Sequence, residues 1–195
     1  MYIYNMEYAS FLRRHIEQVV SLTDEEFDLL LPYYKPLVVA KKQLLIESGD
    51  TVRAEFLVVQ GCLKAFMHDE DGRQHIIQFA IENWWISDYP AYAQQSRGDM
   101  CVQALEPCVV LELSAADKET VCNLVPKMYI FHGRKAFGGY VALQRRVLSM
   151  MKSSPKEKYE LLLQQYPALF QRVSKTMIAH YLGVSRETLS RLERK

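Results

Sequence analysis

The spacing of apolar positions along this chain changes twice, from a helical period of about 3.6 residues to a strand period of about 2 and back again. Residues 6–31 read as helical, with Phe11, Ile16, Val19 and Val20 roughly on one face. Inside that span Thr23-Asp24-Glu25-Glu26 has the form of a capping box: the Thr23 hydroxyl accepts a backbone N–H and Glu26 reaches back to the cap. The short helix it opens carries Phe27, Leu30 and Leu31, and Pro32 ends it. From 36 to 113 short apolar runs follow one another: Leu37–Ala40, Leu44–Ile46, Phe56–Val59, Leu63–Met67, His75–Ile81, Val102–Leu105 and Val109–Leu113. Ser48-Gly49-Asp50, Gln60-Gly61 and Asp69-Glu70-Asp71-Gly72 separate some of them. Asp-Gly between β-rich runs is a hairpin signal, because Gly accepts the positive φ of a tight turn. Short strands at this spacing predict an antiparallel barrel or sandwich.

The helical period returns at Ser114, a suitable N-cap for the residues that follow. After Pro126 the chain runs to Ser154 without proline. There Ile130, Phe137, Val141, Leu148 and Met151 recur at spacings of 7, 4, 7 and 3, the seam of a long helix that pairs with another. Phe131, Tyr140 and Leu143 are left to pack on its own β domain. Gly138 and Gly139 interrupt this helix, either for a close approach or for a kink. Ser153-Ser154-Pro155 starts a new helix lined by Tyr159, Leu162, Leu163 and Tyr166, and Pro167 stops it. Ser174 then caps a helix over about 175–182, with Met177, Ile178 and Leu182 apolar and Ala179 small where a second helix crosses. Gly183 supplies a positive-φ turn, Val184 fills the gap, and Ser185 caps a last helix held down by Leu189 and Leu192. Two short helices about a Gly-containing turn form the helix-turn-helix pattern.

Charge sharpens this picture. The formal net charge is only +1, yet residues 1–150 carry 15 Lys/Arg against 19 Asp/Glu, whereas 151–195 carry 9 against 4. A basic tail on a mildly acidic body suits a nucleic-acid partner. The last helix turns Arg186, Glu187, Ser190 and Arg191 outward, with 187, 190, 191 and 194 sharing a face. Arg can fork onto guanine O6 and N7, and Glu can accept from cytosine N4. Ser174, Lys175, Ser185 and Thr188 stand at helix starts, where hydroxyls, a cation and N–H groups can grip phosphate. The cysteines at 62, 101, 108 and 122 form no CxxC pair, and no His lies at zinc-finger spacing from them, so no metal or iron–sulfur cluster is expected. No Ser-His-Asp order, metal-ligand spacing or phosphate loop points to an enzyme. The N-terminus does not read as a signal peptide, since Arg13 and Arg14 follow its apolar residues, and no apolar run is long enough for a membrane span. A cytoplasmic protein is expected.

Gly183-Val-Ser-Arg-Glu-Thr-Leu-Ser-Arg191 resembles the recognition-helix signature of the Crp/Fnr family of bacterial regulators, and the order of elements fits over nearly the whole chain. The resemblance implies an α+β fold: an N-terminal antiparallel β-roll (a double-stranded β-helix or jelly roll) with flanking helices, a long dimerisation helix, and a C-terminal helix-turn-helix. The expected domains are 1–125, a cyclic-nucleotide-binding-like effector β-roll with its N-terminal helices; 126–152, the dimerisation helix; and 153–195, the DNA-binding domain. It implies base contacts at Arg186, Glu187 and Arg191 and phosphate contacts at Lys175, Ser185 and Thr188. Glu187 with Ser190 and Arg191 resembles the Fnr-side variant. Implied partners are double-stranded DNA, a second copy of the chain through Ile130, Phe137, Val141 and Leu148, and RNA polymerase.

Two departures from the family pattern bear on the signal and on the wing. Members that bind cyclic AMP carry a Gly-Glu pair and then an Arg-Ser-Ala stretch. Here the region reads Ile81-Glu-Asn-Trp-Trp-Ile-Ser-Asp-Tyr-Pro90, then Gln94-Gln-Ser-Arg-Gly-Asp99. Trp84 and Trp85 bring bulk where the cassette needs space, Arg97 is the one Arg nearby, and a buried phosphate without a cation or a nest of N–H groups is poorly stabilised. No cofactor is therefore expected, cyclic AMP is not the expected effector, and a site formed by Trp84, Trp85, Arg97 and His132 is either collapsed or takes an apolar or aromatic ligand. The sensor cysteines of the Fnr branch are also absent. A winged-helix-like domain with a truncated wing is expected, with Phe170–Val173 as one wing strand and no closing strand. The alternative reading is a small-molecule sensor module whose helical C-terminal domain mediates protein–protein contacts.

Overall fold

The computed structural model describes residues 2–192. Its elements run α1 (Tyr2–Glu17), α2 (Asp24–Leu30), a 3₁₀ turn, strands β1 (Lys35–Val39), β2 (Leu44–Ile46), β3 (Ala54–Gln60), β4 (Leu63–His68), β5 (Gln74–Ala80) and β6 (Trp85–Ile86), α3 (Tyr89–Gln94), β7 (Cys101–Ala104), β8 (Cys108–Ser114), α4 (Ala115–Leu124), α5 (Lys127–Lys152), α6 (Pro155–Gln165), α7 (Leu169–Arg172), α8 (Lys175–Leu182) and α9 (Arg186–Leu192). Two four-stranded sheets form, in the orders β1-β8-β3-β6 and β2-β7-β4-β5. This is the expected antiparallel sheet core with flanking helices and a long helix. Among the described residues no helix is long and apolar enough to cross a membrane. Two compact units emerge: Met1–Ala65 with Phe79–Phe137, and Phe66–Gln78 with Gly138–Lys195. The hairpin connecting β4 and β5 thus groups with the C-terminal helices, an association that hydrophobic spacing does not foretell.

The first unit is organised by the β3–β8 pair, in register from Ala54 opposite Ser114 to Val58 opposite Val110. Side chains alternate across a strand. Phe56, Val58 and Val110 therefore enter the interior of the roll, where they meet Val39, Leu63, Ile86 and Val102 and the small residues Ala54, Ala65, Ala80, Ala91 and Ala104. Leu57, Leu111 and Leu113 turn the other way and are covered by Leu12 and Ile16 of α1, Phe27 and Leu30 of α2, Val121 of α4, and Met128 and Phe131 of α5. Burial on both faces explains the unbroken apolar run in β3. The caps form as the sequence suggests: Thr23 and Glu26 exchange the two bonds of a capping box, and the Ser114 hydroxyl accepts the Asp117 N–H at 3.0 Å.

Polar groups enter the second cluster in satisfied form. His15 is fully buried. Its Nε2 accepts from Trp85 Nε1 at 3.2 Å, and its Nδ1 lies 3.2 Å from Asn83 Oδ1. One ring nitrogen must accept and the other donate, so this arrangement selects the neutral Nδ1–H tautomer. His132 is 8% exposed; the Tyr34 hydroxyl lies 3.4 Å from its Nε2, and Trp85 meets it edge-on. Burial, helped by Lys135 and opposed by Asn83, brings the His15 pKa down to about 4. Burial, with Lys118 and His15 adding, brings His132 down to about 3.

Two expectations are corrected. Phe170–Val173 is not a wing strand: Leu169–Arg172 is the short helix α7, its end marked by the Val173 N–H donating to the Leu169 carbonyl. Four residues packed through buried Leu169 and Val173 find their hydrogen bonds within a helical turn, with no partner strand to satisfy an extended backbone. Tyr140 and Leu143 are not covered as Phe131 is; they are 59% and 53% exposed.

Both histidines bind fewer protons folded than unfolded, so stability should be full above the unfolded value of about 6.5 and fall as pH drops below it. The expected loss is about 2 kcal/mol per histidine by pH 5. Denaturant midpoints measured from pH 7.5 to 4.5 read this directly, and a profile that stays flat in this window would contradict the neutral, buried assignment.

Candidate nucleic-acid interface

The site is built by local signals on a small helical core. Ser154 and Glu157 close a capping box at the start of α6. Leu162, Leu169, Val173, Ile178, Ala179, Leu182 and Leu189 are the buried apolar side chains of this region. Ser174 Oγ accepts the Met177 N–H at 3.3 Å and so begins α8. Gly183 ends it at φ 67 and ψ 35, its N–H donating to the Ala179 carbonyl. An L side chain at that φ is strained, which is why glycine stands there. Ser185 Oγ accepts the Thr188 N–H at 3.1 Å and starts α9.

α9 is held by Leu189, whose side chain is fully buried. Its other face carries exposed Arg186, Glu187 and Arg191 and half-buried Ser190. These four line one shallow, open depression of about 420 Å³. Position 194, the fourth of the expected face, lies outside the described residues. Arg191 Nε donates back to the Glu187 carbonyl at 3.4 Å. The Glu187 carboxyl is held below its ordinary value by its own backbone N–H, then by the Ser185 hydroxyl and by Arg186 and Arg191. It is therefore an ionised acceptor at neutral pH, flanked by cationic donors. Ser174, Lys175 and Ser185 are exposed and Thr188 is half-buried, all at the starts of α8 and α9. Ser185 and Thr188 also share a hydroxyl–hydroxyl bond of 3.1 Å. Both groups of residues derived from spacing thus lie on the helices assigned to them.

The four residues named for an effector site are not gathered in one place. Trp84 packs on the interior cluster of the roll, whereas Trp85 packs on the helix-side cluster. Trp85 and His132 do meet, at 6.1 Å between ring centroids, but within packed aromatic surroundings. Arg97 is exposed and is bridged to Thr51. Close by, the buried Asp88 carboxylate accepts from the backbone N–H groups of Ala91, Asp99 and Met100 at 3.1–3.3 Å. Of the seam on α5, Ile130, Phe137, Leu148 and Met151 are 53%, 68%, 46% and 77% exposed, and Val141 is half-buried.

Sequence reasoning passed over His15 and Arg146. His15 follows Leu12 by three residues and precedes Ile16 on the same helix face, a spacing that signals burial. For Arg146 no such signal exists, since Arg145-Arg146 reads as a solvated pair.

Residues 36–123 match the model of the cyclic nucleotide-binding domain. The regulatory protein HlyX of Actinobacillus pleuropneumoniae is 25% identical over 178 residues, spanning 86% of this chain and 72% of that protein. The anaerobic regulatory protein of Haemophilus influenzae is 23% identical over 194 residues, spanning 86% and 68%. Among solved structures, FixK2 from Bradyrhizobium japonicum superposes with a TM-score of 0.72 at 15% identity, covering 83% of each chain. The global regulator CLP of Xanthomonas campestris gives 0.71 at 13% identity, covering 88% of this chain and 90% of that one. At such identities the solved structures speak to the fold. The sequence relatives add regulatory proteins matched along most of their length, and with the roll, the long helix and the terminal helix-turn-helix in that order, the chain is similar to the Crp/Fnr transcription regulators.

Proposed function

We propose that this chain is a cytoplasmic, sequence-specific DNA-binding regulator that works as a homodimer, with RNA polymerase as a further partner. The observation that carries this reading is α9: one face buried through Leu189, the other presenting Arg186, Glu187, Ser190 and Arg191 to solvent. A helix so presented fits the major groove, where Arg forks onto guanine and an ionised Glu accepts from cytosine N4. The exposed helix starts at Ser174, Lys175 and Ser185, with Thr188, supply phosphate contacts that fix register without reading sequence. The stripe Ile130, Phe137, Val141 and Leu148 on α5 supplies the surface for pairing two chains. Two-fold pairing presents two α9 helices to successive major grooves about 34 Å apart.

The reading excludes cyclic AMP as the effector, because the residues present do not fit its phosphate. The N–H groups of Ala91, Asp99 and Met100 already serve the chain's own Asp88 carboxylate. The nearby cation, Arg97, lies on the surface, and the interior of the roll is filled by packed apolar side chains. A second anion beside Asp88 would be repelled by that carboxylate.

Selection from a random duplex pool should enrich an inverted repeat with half-sites one helical turn apart. Arg186→Ala and Arg191→Ala should each remove roughly 1–3 kcal/mol of base discrimination. Lys175→Ala should instead weaken all sequences alike and lower the salt slope by about 1. A pool with no enriched sequence, together with unchanged binding by both arginine variants, removes the proposal in favour of a helical domain that contacts protein. Phe137→Glu places a charge in the middle of the α5 stripe; sedimentation should show the dimer shifted to monomer, and an unaltered dimer would assign pairing to another surface.

A further inference from the structure

Within the second unit one half-buried guanidinium joins three elements. Arg146, on the C-terminal half of α5, donates to the carbonyl of Ile77 and, at 2.9 Å, to that of Ile76, both on strand β5. It also donates at 2.9 Å to the carbonyl of Tyr181 on α8. Its Cζ lies over the Tyr181 ring, 3.9 Å from the centroid. The Tyr181 carbonyl belongs to the last turn of α8, where carbonyls lack intrahelical partners and a cation is favoured. One turn further along α5, Met150 lies beside the reversal between α8 and α9: its Cε is 3.8 Å from where a Cβ on Gly183 would stand. The face of α5 formed by residues 146 and 150 therefore backs the point at which the direction of α9 is set.

We propose that Arg146 is a positioning residue for DNA reading: it fixes the end of α8, and with it the aim of α9, relative to the β4–β5 hairpin, so that displacement of the hairpin alters affinity for DNA. The proposal rests on the DNA-reading function above. Guanidinium geometry is central to it. A planar fork reaches carbonyls on two elements at once while stacking on a ring, and a lysine ammonium cannot do both. Its acceptors on β5 and α8 are neutral backbone dipoles, so the contact acts through direction as well as charge.

The test uses the full chain with Arg146→Lys, which keeps the charge, and Arg146→Met, which keeps most of the apolar stem. Circular dichroism first establishes that each variant folds. Binding to a selected duplex is then titrated across salt, and amide exchange is followed without DNA in β5, α8 and α9, with β3 and β8 as the internal reference. We expect both variants to bind roughly tenfold more weakly, within the usual range of coupling between sites, with an unchanged salt slope and faster exchange in β5 and in α8–α9 together. Wild-type binding by Arg146→Lys overturns the proposal. A salt slope lower by about 1 in Arg146→Met alone would make Arg146 a phosphate contact instead. If the wild-type chain binds no duplex, the DNA-reading function fails on that result. The link between hairpin and helix is then judged by exchange alone: equal exchange in wild type and variants refutes it.

Discussion

Burial of the β3–β8 pair on both faces is the constraint from which the rest of the first unit follows. A strand pair with one solvated face needs only one apolar set. This pair carries two, one directed into the roll through Phe56, Val58 and Val110 and one outward through Leu57, Leu111 and Leu113. The outward set cannot be left in water, and α1, α2, α4 and the first turns of α5 are the elements that cover it. Met128 and Phe131 are fully buried there, so the long helix starts from a fixed footing. Deleting Leu57 or Leu111 would therefore do more than open a cavity worth about 2–5 kcal/mol; it would loosen the seat of α5.

The C-terminal helices obey a different economy. Their buried set is small, and their geometry is imposed mainly by caps: Ser154, Ser174 and Ser185 each accept an N–H from three residues ahead, and Gly183 takes the left-handed turn. Each cap contributes about 1 kcal/mol, a large share of what so small a core can supply. Because caps are written as short residue patterns, this part of the fold was readable to within a residue: the helix expected at 175–182 is observed as Lys175–Leu182.

Legibility fails where tertiary context outweighs local pattern. The strands with turn signals at their ends were readable, but β6 was not, since it is two residues long within Trp84-Trp85-Ile86 and shows no alternation. The same period of two explains why Trp84 and Trp85, adjacent in sequence, line no common site: neighbours on extended backbone face opposite sides, and here the sides are two different clusters. Phe170–Val173 was expected as a strand from the winged domain of the family it resembles, and a four-residue segment between helices does not realise it. The exposed face of α9 was readable because amphipathic spacing leaves only one face for Leu189. Arg146 was not, because nothing in its neighbours distinguishes an arginine bonded to two other elements from the exposed Arg145.

The make-up of the α9 face also says how affinity and discrimination divide. A helix designed only to hold DNA would carry cations throughout, since the phosphate backbone rewards each one regardless of sequence. Glu187 works against that. Held further below its ordinary value by its own N–H, the Ser185 hydroxyl and two arginines, on the proposed reading it would repel phosphate on every duplex and be compensated only where a base edge offers a donor. On the proposed reading, a net +5 over residues 151–195 supplies attraction to any duplex, and the single carboxylate among the arginines subtracts from it everywhere except at the right sequence. Discrimination then comes as much from the penalty at wrong sites as from the contacts at the right one. That penalty depends on α9 entering the groove at one angle, because a tilted helix would let Glu187 swing clear of the base edges. The turn at Gly183 and the fork of Arg146 beneath it are the features that hold this angle.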